Sequence, residues 1–154
     1  MLFGVDILAA VVAGLAGTVV ITIMMSLAPR MGMPKMDMPG MLGSMFGAPG
    51  SRAMGMVIHL MMGVIFTFIY GLFWANGIGA PAILSGILFG IIHWLVVGLM
   101  MGMMPMMHAG IQSGDVPEPG VYMLKNGGLM GFMGGLMGHI VFAIVVVLVY
   151  PIIG

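Results

Sequence analysis

Long apolar runs alternate along the chain with short polar ones, and the runs have the length of membrane spans. A helix needs about 20 mostly apolar residues to cross the hydrocarbon core of a bilayer. Four stretches reach that length: about 5–28, 53–75, 82–104 and 129–150. Pro29, Pro81, Pro105 and Pro151 stand at or near their ends, where a missing amide N–H costs the helix least. A segment exposed to lipid must satisfy its own backbone, and four strands cannot close a barrel, so the runs are expected to be helical. The architecture that follows is an all-α integral membrane protein. It has one membrane domain over residues 1–154, folded as an antiparallel four-helix transmembrane bundle. The first run has Asp6 as its only early charge and no basic leader, so it reads as a retained span rather than a signal peptide.

Within the runs, small and polar residues recur at helical spacing. The first carries Asp6, Ala10, Gly14, Thr18, Thr22 and Ser26, the second His59, Gly63, Thr67 and Gly71. The third carries Gly86, Gly90, His93 and Val97, the fourth Gly127, Gly131, Gly135, His139 and Ala143. Small residues let helix backbones approach closely in lipid. Gly14, Gly63, Gly86, Gly90, Gly131 and Gly135 are therefore the expected packing positions, either within the bundle or against other membrane subunits or a second copy.

Composition narrows the function classes. Charged residues make up 5% of the 154, against about 25% in soluble domains, which excludes an ordinary soluble enzyme, a disordered tail and a nucleic-acid binder. The absence of Cys excludes disulfides and thiolate sites. Arg30, Lys35, Arg52 and Lys125 all fall in the loops 29–52 and 105–128. By the positive-inside rule those loops are cytoplasmic and both termini outside. Asp115 and Glu118 read as solvated loop residues. The apolar spacing from Met38 through Leu42 to Met45 suggests a short interfacial helix beginning near Pro39. No nucleophile, phosphate-loop or metalloprotease motif is present, so no intrinsic catalytic activity is expected.

The candidate chemistry lies in His and Met. At 1.5 Å rise per residue, His59 sits roughly 9 Å below the loop side, and His93 and His139 roughly 15 Å below it. Ionisable residues inside a membrane are functional candidates by default. Three imidazoles could ligate a transition metal, or the pair at one level could bracket haem b, with Gly90 and Gly135 making room and Arg30, Lys35 or Arg52 meeting the propionates. The plainer reading is that each His hydrogen-bonds to a neighbouring hydroxyl or carbonyl. Met accounts for 23 residues. Soft thioethers suit Cu(I), which makes Met31, Met33, Met36, Met38, Met103, Met104, Met106, Met107 and His108 an alternative, copper-handling set. Met as flexible apolar filler is the plainer account. Copper handling without Cys is most useful outside the cytoplasm, opposite to the side on which the charges place these loops.

Short motifs in order also resemble a known group. They are Ala13-Gly-Leu-Ala-Gly-Thr18, Met33-Pro-Lys-Met-Asp37 with Met41-Leu-Gly43, His59-Leu-Met-Met-Gly63 with Phe66 to Tyr70, and Gly90-Ile-Ile-His-Trp94. Met104-Pro-Met106 with Gly110, and Gly138-His139-Ile-Val-Phe142, complete the set. The chain is similar in these to the YagU-like group of small four-span prokaryotic inner-membrane proteins. That resemblance implies a helical protein of the prokaryotic inner membrane and no particular activity. The Met enrichment departs from it. Three functions stand open: a non-enzymatic haem- or metal-binding protein, as a small subunit of a membrane redox complex or on its own; a structural or assembly subunit with no cofactor; and a Met-rich copper(I)-handling protein.

Overall fold

The computed structural model describes residues 1–47 and 50–154; residues 48 and 49, inside the loop expected at 29–52, lie outside the described residues. The described chain is helical, with one isolated bridge between Leu2 and Val5 and no strand. Four long helices are α1 (Ile7–Leu27), α3 (Arg52–Ala75), α4 (Ile83–Met101) and α7 (Leu124–Ile153). All four are long and apolar enough to cross a membrane. Short helices α2 (Met38–Gly43), α5 (Met104–Met107) and α6 (Ala109–Gln112) lie in the loops.

The helix ends follow from local chemistry. Asp6 caps α1 by accepting from the Ala9 N–H at 2.8 Å, and Ser51 caps α3 by accepting from Met54; each satisfies a donor that the first turn leaves free. The α7 run is broken at Gly128, whose φ of 54° and ψ of −152° are not helical. Such a conformation suits glycine, which has no Cβ to clash. Regular helix therefore starts beside Leu129. Just before it, Tyr122 and Met123 hold positive φ, which turns the chain back over the bundle.

Packing is set by missing side chains. A Cβ on Gly14 would lie 2.7 Å from the Val64 Cα, and one on Gly90 would lie 2.6 Å from the Ile140 Cα. Gly17 receives the Phe142 ring and Gly86 the Val147 side chain. These close approaches join α1 to α3, α1 to α7, and α4 to α7. On each pair the contact positions rise along one segment as they fall along the other: Val5, just before α1, with Gly71 and Thr18 with Gly63; Gly17 with Phe142 and Ile21 with Gly138; Gly86 with Val147 and Gly90 with Ile140. α3 and α4 meet differently, through ring pairs such as Phe66–His93 at 3.7 Å and Tyr70–Phe89 at 5.1 Å between centroids. Large side chains hold those two backbones apart, and an internal space remains beside them.

The outward faces are apolar, with Leu15, Val19, Ile23, Ile65, Leu88, Leu95 and Leu148 exposed, as contact with a lipid bilayer requires. The loop helix α2 forms where the apolar spacing placed it, and it packs on the bundle. Pro39, Met41 and Leu42 are buried against α3, where a Cβ at Gly55 would overlap the Pro39 carbonyl oxygen. The charged residues of the loops are partly paired, not fully solvated: Arg52 with Asp37, and Lys125 with Glu118.

Candidate functional site

A cavity of about 80 Å³ lies among the four long helices. His59 and Met62 reach it from α3, His93, Trp94 and Met101 from α4, His139 from α7, and Thr18 and Met25 from α1. Met36 and Met38 close it from the first loop and Met123 from the second. The structure thus gathers the three intraspan histidines and six methionines around one space. Phe66, Val97, Phe142 and the backbone of Gly134, Gly135 and Gly138 supply much of the remaining wall.

The imidazoles are held in defined orientations. The His139 Nδ1 lies 2.7 Å from the Gly135 carbonyl oxygen; a carbonyl only accepts, so Nδ1–H donates and the Nε2 lone pair is left over. The Thr22 hydroxyl donates to the Thr18 carbonyl at 2.7 Å, so its oxygen faces the His59 Nδ1 as an acceptor across a long 3.5 Å contact. His93 Nδ1 and the Tyr70 hydroxyl are 2.9 Å apart, and that hydroxyl also approaches the Phe89 carbonyl at 3.5 Å. Tyr70 either donates to the His93 Nδ1, or accepts from the His93 Nδ1–H and donates its own O–H to the Phe89 carbonyl. The second arrangement frees the His93 Nε2 lone pair, the form a ligating His takes when a neighbour orients its other nitrogen. His93 and His139 meet edge to face, 4.7 Å between centroids, and the Trp94 ring lies 5.1 Å from His139. The Trp94 Nε1 is buried with no hydrogen-bond partner among the described residues.

This geometry does not fit haem. A porphyrin between axial imidazoles would have to pass between the rings of His93 and His139, which are in edge contact. A water molecule takes about 30 Å³, so the cavity holds a few waters or one ion and no macrocycle. The room expected beside Gly90 and Gly135 is already filled: the α7 backbone lies against Gly90, and a Cβ on Gly135 would lie 2.3 Å from the Trp94 ring. Among the described residues, no group of three or more His, Cys, Asp or Glu could hold a metal ion. Any metal here would need thioether sulfur as well.

The loop set expected for copper divides. Met36 and Met38 line the cavity. Met31, Met103, Met106 and Met107 are exposed and do not line it. Met104 packs beside Trp94 and Met101, and the Met33 methyl lies over Gly134. His108 is a structural residue: it is 1% exposed, its Nε2 donates to the Met41 carbonyl at 2.8 Å and its Nδ1 accepts from the Ile111 N–H. Both nitrogens are engaged, so neither is free for a ligand. Gly131 faces the Met123 backbone, with 3.1 Å from a Cβ there to its carbonyl oxygen.

Sequence reasoning passed over Met25, Met62, Met101 and Met123. Three of these carried a signal. Met62 is three residues after His59 and shares its face, Met101 is seven after Trp94, and Met25 is seven after Thr18. Met123 carried none, because its position depends on positive backbone angles at Tyr122 and Met123.

The profile of a family of unknown function, DUF6789, matches residues 4–116, and the chain belongs to that family. The match runs from α1 through α6 and takes in His59 and His93; α7, with His139, lies beyond it. No curated protein and no solved structure matches the chain.

Proposed function

For this member of a family with no assigned activity, we propose a non-enzymatic, multi-pass membrane protein that holds one soft monovalent metal ion, Cu(I) in type, in the His–Met cavity. The helices would insert as an antiparallel bundle in the prokaryotic inner membrane, in keeping with the likeness to the YagU-like group. The observation that carries the reading is the meeting of three imidazoles and six thioethers from every wall of one cavity.

The chemistry favours that ion class. Thioethers bind without losing a proton, and soft ligands select Cu(I). Every candidate ligand is neutral, and no carboxylate lines the cavity. A bound monovalent ion leaves a single buried charge. A divalent ion leaves two, and the cost of burying an ion rises steeply with its charge. A purely structural subunit is less well supported, since Gly14, Gly17, Gly63, Gly86 and Gly90 are used inside the chain and are not free to dock other helices.

The test is Cu(I) competition against a coloured chelator on the detergent-purified protein under reducing, anaerobic conditions. One ion per chain is expected. The double variant His93→Leu with His139→Leu, checked for retained helicity and monodispersity, should lose affinity by about a hundredfold or more. Failure of the wild type to withdraw Cu(I), or undiminished binding by the folded double variant, would overturn the reading. A Soret band in the purified protein would overturn it in favour of haem.

A further inference from the structure

A second pocket, of about 290 Å³, opens between the two loops. Lys35, Asp37, Val116, Pro119 and Asn126 line it, and Lys35 and Asn126 are exposed. Met36, Met38 and Met123 line both this pocket and the His cavity, so three thioethers stand between the two spaces. The far end of the cavity is closed by rings. Tyr70, Phe89 and Phe142 are buried together, with Tyr70 5.1 Å from Phe89 and 6.3 Å from Phe142. Trp74 and Tyr150 stand beyond them, 5.1 Å apart. The Tyr70 hydroxyl ties this plug to His93.

Resting on the ion-holding reading above, we propose that the ion is loaded and released only through the loop pocket, passed across Met36, Met38 and Met123, and that the aromatic plug makes the protein a holder and not a conduit. No redox change is involved. Each sulfur offers a lone pair, and the previous ligand leaves as the next one binds. Charge does not draw the ion in. Lys35 is exposed at the mouth, and the carboxylate of Asp37 is taken by Arg52 and by the Gly40 N–H. The attraction has to come from sulfur, which selects a soft ion over a hard one. The Met33 and Met36 methyl ends lie over Gly134, 3.1 Å from where its Cβ would be, so a side chain there would press on Met36.

The experiment uses the full chain in detergent, chloride-free, with Ag(I) nitrate as probe. Ag(I) is soft and monovalent and keeps one oxidation state. Loading is followed by stopped-flow quenching of tryptophan fluorescence; of the two tryptophans, Trp94 lines the cavity. The triple variant Met36→Leu, Met38→Leu and Met123→Leu keeps side-chain volume. The three imidazoles and the thioethers of Met25, Met62 and Met101 remain in it, so it should still take up Ag(I), with lower affinity, and load about tenfold more slowly. Wild-type loading speed in that variant would overturn the relay and leave the ion-holding reading intact. A folded triple variant that takes up no ion would also overturn it, because the thioethers would then be the final ligands. A wild type that takes up no Ag(I) overturns both.

Should the triple variant not fold, Lys35→Gln serves instead. Removing the charge at the mouth should speed loading about twofold at low salt, with the difference gone at high salt. An unchanged rate places the route elsewhere. Ag(I) passing into vesicles reconstituted with the protein, above protein-free vesicles, would overturn the plug.

Discussion

Gly90 and Gly134 look alike in the sequence and differ in what surrounds them. A Cβ at Gly90 would meet backbone, the Ile140 Cα at 2.6 Å and the His139 carbonyl oxygen at 2.8 Å. One at Gly134 would meet only the flexible methyl ends of Met33 and Met36 at 3.1 Å. Gly90→Ala should therefore destabilise the protein by about 1–3 kcal/mol through forced backbone shifts, while Gly134→Ala should stay within about 0.5 kcal/mol. Unfolding in mixed detergent micelles measures both, and equal costs would contradict the packing of α4 on α7. The same distinction separates the histidines. His139 and His108 each carry one bonded Nδ1, but only His108 has its Nε2 engaged as well. Spacing along a helix showed that His59, His93 and His139 lie on small-residue faces. It could not show which ring nitrogen would be free, because that depends on carbonyls and hydroxyls from other turns and other helices.

At the scale of elements, the loop helix α2 matters as much as the long ones, because it carries Met38 to the cavity and its buried side holds the loop down. Its seat is Gly55 on α3, against which the Pro39 carbonyl rests. The apolar spacing from Met38 to Met45 marked a short helix, but amphipathic spacing cannot tell a lipid interface from a neighbouring helix. Gly55→Val should lift α2 without unfolding the long helices. Amide hydrogen exchange is expected to speed up across residues 38–43 and to stay protected in α1, α4 and the regular part of α7. Loss of protection in all of them together would show that α2 is part of one cooperative unit. The break at Gly128 is a second element-scale feature. In the sequence it was one of many glycines; in the structure it sets where regular α7 begins and lets Tyr122 and Met123 fold back over Trp94.

For the whole molecule, function depends on which way it faces. All four basic residues lie in the two loops that form the outer pocket and its surroundings, which favours a cytoplasmic mouth. The chain has no Cys, so single cysteines report position without background. With a membrane-impermeant maleimide on intact cells, Ala80→Cys should label and Ser113→Cys should label only after lysis. The reverse pattern would put the pocket outside, where a Cys-free soft-metal site is more useful, and would show that four charges were too few to set the orientation. Either result leaves the four-helix arrangement untouched, since that rests on apolar length and glycine contacts, not on charge.

The sequence by itself determined the helices and their class. Backbone groups in an apolar medium must be satisfied locally, so run length and proline placement suffice to mark long apolar helices. It also determined which faces carry His and Gly, because a helix repeats every 3.6 residues whatever surrounds it. Only the tertiary structure decided what those faces enclose. Glycine contacts draw α1, α3 and α7 together and α4 onto α7, while rings hold α3 and α4 apart. The space left is far smaller than a porphyrin. Which methionines reach it was settled by two loops, through the seat of α2 at Gly55 and the positive φ of Met123. Those are contacts between segments far apart in the chain, and no local periodicity encodes them.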